Sequence, residues 1–452
     1  MGRALRFALL IAALGIGFAV NNTVCAQPAA LPSPAEPLRP VDSYDKTLGM
    51  KGWSIPFPSF GDTLVQDAGG VRSALAKYGI GFEIISVSFF YENLLAHPHV
   101  AAADQVYAGQ RPTTSSGHVA YVMADLSRYG IPDGQFVIAG SIARSSWQPA
   151  EPDSLSMVNL TYYQTFLDKA LELKIGYQSN GEAFVGPFQV GTNIANGLFG
   201  PAMPSELGLS DIPAPAPGIN LTYNVNSEVY DKFGIQRSIS PTANMFVDDK
   251  QKNPTGFNFT EPGAGILFIN ELGFNRSASA TQPKSAIRAG VMYNTSQYHN
   301  YKTNGTSPNF GFYALADRQF WQFDPVGTAY RGLYAGASVM YAAPETSIST
   351  WYFEGRVYVI GLMYSRPDDL AGLVINHSRF SPYARGRLMI PGAPPGLRVL
   401  DDSSSLTFSY SAKVRRGVYL EPALSYTDHQ SLTTTNAKDH TLNAQVSLTL
   451  LF

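Results

Sequence analysis

From about Gly81 to the end of the chain, apolar and polar residues alternate with a period of two. In the final segment Leu442, Ala444, Val446, Leu448, Leu450 and Phe452 hold the even positions, against Asn443, Gln445, Ser447 and Thr449. Successive side chains of a strand point to opposite faces, so this segment predicts a strand with one oily and one neutral-polar side. The same pattern recurs upstream. Leu171, Leu173, Ile175 and Tyr177 alternate with Glu172, Lys174, Gly176 and Gln178, and Ile287, Ala289, Val291 and Tyr293 with Arg288, Gly290, Met292 and Asn294. Leu406, Phe408, Tyr410 and Ala412 stand against Thr407, Ser409, Ser411 and Lys413; Val418, Leu420, Leu424 and Tyr426 stand against Tyr419, Glu421 and Ser425. Leu333, Ala335, Ala337, Val339 and Tyr341 make one more such face.

Turn signals separate these runs at Asp133-Gly134, Asn180-Gly181, Asn304-Gly305 and Arg366–Asp369. The stretch Gly200–Gly218 reads as an extended loop, and the proline-rich stretch Pro28–Pro40 as an extended linker. Between them, Val71, Leu75 and Tyr78 fall at helical spacing and predict one short helix in a periplasmic or plug-like lead-in.

The polar faces decide the class. A soluble sandwich turns many Lys and Glu to water, but here Ser, Thr, Asn, Gln and Gly dominate and charge is only 15% of the chain. Aromatics make up 12% and recur near run ends, at Tyr177, Tyr293, Tyr410, Tyr426 and Phe452, where a membrane girdle wants them. Closing the sheet removes the unpaired backbone groups that hydrocarbon cannot hydrate. The expected fold is therefore all-β, a transmembrane antiparallel β-barrel. A spanning strand uses about 9–11 residues, so about 16 strands leave room for alternating short turns and long loops. Such a barrel is wide enough for an aqueous lumen.

The start of the chain agrees. Arg3 and Arg6 precede the apolar run Ala8–Val20, and small residues follow at Val24–Ala26, which predicts a secretory signal cleaved after Ala26. The expected divisions are 1–26 signal peptide, 27–60 N-terminal extension and 61–452 barrel. Cys25 is the single cysteine and would leave with the signal, excluding thiol chemistry and cysteine metal sites. The mature chain would carry 30 basic and 34 acidic residues, a balance of −4 that points to no nucleic-acid partner.

The blocks Gly332–Arg385, Leu406–Ser431 and Leu442–Phe452, above all the turn Arg366-Pro367-Asp368-Asp369 and the terminal strand, resemble the carbohydrate-selective porins of the OprB type. Weaker likenesses lie in "GGVRSALAKYGIGFE", "GPFQVGTNIANGLFG" and "PAPAPGINLTYNV". The resemblance implies a 16-stranded outer-membrane barrel, passing mono- and oligosaccharides passively into the periplasm through a constriction of charged and aromatic side chains. It implies no cofactor and no metal. The implied partners are sugars and outer-membrane lipid; a homotrimer and a monomer both stay open.

Sugars are neutral, rich in hydroxyls and flat on their C–H faces. A pore that prefers them offers paired acids and bases as hydrogen-bond partners, with aromatic faces for stacking. Candidates in the inward phase are Glu172, Lys174, Arg288, Tyr352, Glu354, Arg356, Tyr358, Lys413 and Glu421. The segment "TWYFEGRVYV" is the most concentrated, because Tyr352, Glu354, Arg356 and Tyr358 share one face. Two roles are open to it: touching passing sugar, or cancelling charge and stiffening the wall. Other readings of the chain are a barrel enzyme using Asp428-His429 near Ser425 and Ser431, and an adhesive barrel. His97 and His99 form an isolated His-x-His pair.

Overall fold

The period-two segments form sixteen antiparallel strands closed into one barrel in the computed structural model, which describes residues 43–53, 57–95, 105, 107–147, 153–185, 203–242, 245–388, 398–429, 432–434 and 440–452. In chain order they are β1 (Ile80–Asn93), β2 (Thr113–Asp125), β3 (Gln135–Ser145), β4 (Ser154–Phe166), β5 (Leu171–Gln178) and β6 (Ala216–Asn224). Then come β7 (Val229–Arg237), β8 (Ile266–Arg276), β9 (Ser285–His299), β10 (Thr306–Gln322) and β11 (Gly332–Ala342). The last five are β12 (Ser349–Ile360), β13 (Leu370–Phe380), β14 (Asp402–Arg415), β15 (Val418–Thr427) and β16 (Thr441–Leu451). Each strand pairs with its neighbour in sequence, and β1 pairs with β16 to close the ring. The signal peptide, the proline-rich linker, the His97/His99 pair and residues 186–202 lie outside the described residues.

Closure explains the apolar ending. Phe452 N donates to Ile84 O (2.9 Å) and Ile84 N donates to Phe452 O (3.0 Å), so the last residue is tied into the first strand. On β16, Val446 and Leu448 are exposed outside, while Gln445, Ser447 and Thr449 are buried toward the interior. Tyr293 and Tyr426 also face outward and are exposed. The connections alternate in length. Residues 167–170, 225–228 and 416–417 make short turns at the end holding both termini, and 179–215, 238–265 and 381–401 make long connections at the other end.

Two expectations change. Asn180-Gly181 does not close a hairpin: it opens the 179–215 connection with a single 3₁₀ turn, and that connection carries the helix Met203–Glu206. The inner wall is also not uniformly polar. On β1 the inward residues Ile85, Val87, Phe89 and Tyr91 are buried apolar groups, because the chain preceding β1 packs inside the barrel. That lead-in contains the expected helix, Val71–Ala76, with Leu48, Met50 and Phe60 buried in the same cluster.

Candidate functional site

The interior is shaped first by residues 179–185 and 203–215 of the β5–β6 connection, which fold into the barrel. Asn180 anchors its outgoing limb: Nδ2 donates to Gln236 Oε1 (2.8 Å) and Oδ1 accepts from Asn220 Nδ2 (2.6 Å). Lys232 Nζ, on β7, donates to Ala183 O (2.6 Å) and lies over the Phe184 ring. The return limb reaches the far wall. Asn294 Nδ2 on β9 donates to Leu207 O (2.8 Å), and the Glu206 carboxylate accepts from Ser349 N (3.3 Å) and Oγ (3.4 Å) at the start of β12. Phe184, Met203, Leu207 and Leu209 bury against Leu267, Ile269, Met292, Leu315 and Met340. Apolar inner faces on β8–β11 therefore seat a loop, which narrows the lumen.

Below that seat lies the segment singled out by sequence. Tyr352, Glu354, Arg356 and Tyr358 do share the inward face of β12, and Phe353 and Val357 point outward and are exposed. Arg356 is saturated. Its Nε and Nη2 donate to the two Asp317 carboxylate oxygens on β10 (2.8 and 2.5 Å). Its Nη1 donates to Glu354 Oε1 and Ser338 Oγ (both 2.7 Å), and Nη2 also reaches Ala316 O (3.2 Å). Tyr352 Oη donates to Glu354 Oε2 (2.5 Å) and Tyr358 Oη to Asp317 Oδ1 (3.2 Å). The Tyr358 ring stacks on Tyr334 with centroids 4.9 Å apart. With the Arg356 side chain 1% exposed and Glu354 0%, the pair is locked into the wall. Of the two roles left open by sequence, this geometry is that of charge cancellation and stiffening.

Several carboxylates of the interior are held by phenols, while Glu83 of β1 is held by Arg72 of the lead-in (3.2 Å). Tyr163 Oη donates to Glu172 (2.9 Å), and Tyr230 and Tyr313 donate to the two oxygens of Glu271 (2.8 and 2.6 Å). Tyr330 donates to Asp368 (3.0 Å) and Tyr419 to Asp62, and at the 361–369 turn Tyr410, on the outward phase of β14, donates to Asp369. A phenol donates one hydrogen bond without adding charge, so it fixes a carboxylate's direction and leaves the acid–base balance alone.

The remaining candidates do not gather into one cluster. Glu172 also accepts from Asn224 Nδ2 (2.7 Å), and Lys174, two residues along β5, is buried. Lys413 Nζ bridges Asp368 (3.1 Å) and Asp62 (3.2 Å), and Glu421 is buried on β15. Arg288 stands apart. It is half-buried, in the inward phase of β9 beside the Glu271 strand, and no hydrogen bond or ion pair ties it among the described residues. Sequence reasoning missed Asp317, Glu271, Lys232 and Asp62. The first two sit in "FYALADRQF" and "ILFINELGF", where both faces are largely apolar and hide the period; alternation does name the phase of Asp317 once Tyr313 and Leu315 are taken as inward.

The Asp428-His429 pair packs against Asp402 at the start of β14. His429 Nδ1 lies 3.0 Å from Asp402 O and 3.1 Å from Asp402 Oδ1, while Ser425 Oγ is 2.9 Å from Thr407 Oγ1. Ser431 lies outside the described residues.

Among solved structures, the fold is similar to the high-pH structure of Pseudomonas putida OprB, at 18% identity and a TM-score of 0.72, over 86% of this chain and 98% of that one. The low-pH structure of the same protein matches over the same shares at 15% identity and a TM-score of 0.54. No curated protein sequence matches the chain. Residues 96–450 match the profile of the carbohydrate-selective porin, OprB family, and the chain belongs to that family.

Proposed function

We propose that this barrel is an outer-membrane channel giving passive, carbohydrate-selective diffusion of mono- and oligosaccharides into the periplasm, with no covalent chemistry. The observation that carries the reading is the phenol–carboxylate–cation lining. Glu172, Glu271, Glu354 and Asp317 each receive a tyrosine hydroxyl, and Arg356 pairs two of them. Such a wall keeps its buried acids paired and leaves little net field across the lumen, which suits a neutral polyol better than an ion. Arg288 and Glu172 are the groups we assign to meet the sugar, because both are only half-buried. The β12 residues Tyr352, Glu354, Arg356 and Tyr358, with Lys174, Lys413 and Glu421, set the shape behind them.

The exterior supports placement in a bilayer, since Ile138, Val291, Phe353, Ile375 and Phe408 are exposed on the outward phase. The outward phase also carries polar pairs, one of them His377 with Ser404 (2.9 Å) and another on the first two strands. On β1 and β2, Ser86 and Ser88 stand beside His118 and Ser116, with Ser86 Oγ 2.8 Å from His118 Nδ1. Polar groups are costly against lipid, so this face favours self-association of the barrels. The test of the channel reading is conductance in planar bilayers with and without glucose, alongside liposome swelling with sugars of increasing size. A barrel that conducts but is not blocked by glucose, and that swells vesicles no faster in sugar than in a charged solute of equal size, would refute carbohydrate selectivity. Chemical cross-linking in the membrane reports the oligomer.

A further inference from the structure

We infer that the lead-in Ser43–Gly79 is a second constriction element, entering the pore from the end that holds the termini and setting its size limit opposite the 179–215 connection. The inference rests on the channel reading and goes beyond it by naming a segment outside the strands as a determinant of which solutes pass.

Its contacts are with inward-facing side chains. Trp53 and Phe57 pack edge-on against Tyr121, with ring centroids 5.9 and 5.5 Å away. Tyr121 lies four residues inside the Asp125 end of β2, about 13 Å along the strand at ~3.3 Å per residue. Lys51 N donates to Gln135 Oε1 (2.9 Å) and Gln135 Nε2 donates to Gly49 O (2.9 Å), joining the segment to β3. At Gly52 (φ +76°) the backbone approaches so closely that a Cβ would stand 3.1 Å from Tyr163 and 3.2 Å from Lys174, on β4 and β5. On the other side, Asp62 holds Lys413 of β14 and Tyr419 of β15, and Leu64 N donates to Leu451 O (2.8 Å) of β16.

The lead-in therefore touches the inner wall from β14 through β1 to β5. The 179–215 connection touches β6, β7, β9 and β12 through hydrogen bonds and seats its apolar groups on β8–β11. The two inserts enter from opposite ends and meet where Ile212 of the 179–215 connection joins the buried cluster of the lead-in, so together they narrow the lumen. The apolar inner face of β1 follows from this arrangement, since Ile85, Val87 and Phe89 share one buried cluster with Leu48, Met50 and Phe60. Burial on this scale holds a segment in place; it is not a loose tail.

The test uses two variants of the full chain in planar bilayers and liposomes. Lys51→Glu reverses a charge on the lead-in whose Nζ donates to Asp133 O (3.1 Å) in the β2–β3 turn, and should raise the cation-to-anion permeability ratio at least about twofold if the segment borders the pore. Trp53→Ala with Phe57→Ala removes its packing, and should raise single-channel conductance about 1.5- to 2-fold and speed trisaccharide entry relative to glucose. The heat-dependent gel shift of the folded barrel checks that the strands are intact. Wild-type-like selectivity in the first variant and unchanged conductance and size limit in the second, both in folded barrels, would overturn the inference while leaving the channel reading in place. A wild-type barrel that does not conduct at all would instead defeat the channel reading.

Discussion

Arg356→Met is the sharpest probe of the β12 wall. The guanidinium donates five hydrogen bonds, to Asp317, Glu354, Ser338 and Ala316, and its removal leaves two carboxylates in the wall without their cation. Removing one partner of a buried ion pair costs about 3–5 kcal/mol, mostly the penalty of the charge left behind. Methionine fills part of the volume, so a packing loss alone stays near 1 kcal/mol. The two causes separate by adding Asp317→Asn and Glu354→Gln to Arg356→Met. If stranded charge is the cause, the triple variant recovers most of the loss; if lost packing is the cause, it recovers nothing. Arg356→Lys keeps the charge, but three donors on one ammonium cannot serve two carboxylates, a hydroxyl and a carbonyl, and it should lose about 1–3 kcal/mol. Urea unfolding in lipid vesicles, followed by tryptophan fluorescence and the gel shift, measures all three. An Arg356→Met barrel within 1 kcal/mol of wild type would refute the reasoning. So would a large fall in glucose entry with unchanged stability in Arg356→Lys, which would put the guanidinium in the path of the sugar.

Arg288→Gln should leave unfolding unchanged, because no ion pair is broken among the described residues, yet slow glucose entry several-fold in liposome swelling and lower anion permeability. Gly208→Ala should unseat the 179–215 connection: its φ is +94° and a Cβ would lie 2.0 Å from Asn294 Nδ2, so conductance should rise while the strands stay folded. Glu261, in the 238–265 connection, is pushed up to about 8 by burial and by the neighbouring Asp249, against the pull of Arg237. An acid whose folded pKa is raised contributes stability below its unfolded value of 4.5 and loses it as pH rises toward 8. Hydrogen exchange in Met245–Lys252, compared between wild type and Glu261→Gln at each pH, should show wild-type protection falling across that window and the variant flat; parallel curves would refute the assignment.

The strands were legible because their two faces differ, and the face assignment within "TWYFEGRVYV" predicted the inward placement of Tyr352, Glu354, Arg356 and Tyr358. Their burial was not legible. It arises from Asp317, which sits on β10, and the two segments meet only through the register in which Gly336 of β11 lies between Arg356 and Asp317. No pattern within one strand carries that information. Nor could the sequence tell a turn at Asn180-Gly181 from the opening of a long insert, since the difference lies in what Gln236 and Asn220 offer to the Asn180 amide.

The ambiguous stretches carry the most structural meaning. A strand facing lipid on one side and water on the other alternates cleanly, as β16 does. Where the inner face is apolar, as at Ile85, Val87 and Phe89 of "IGFEIISVSFF" and at Tyr313 and Leu315 of "GFYAL", water is a poor inner neighbour, because burying apolar area is favourable at roughly 25 cal/mol per Å² and bare apolar lumen forgoes that gain. Something of the chain's own must cover it. The lead-in covers β1 and the 179–215 connection covers β10, each seated on a strand whose inner face departs from the polar pattern. Loss of the polar inner face in a porin strand is thus a positive signal for an insert in the lumen, and the arc over which it is lost maps the side from which the pore is narrowed.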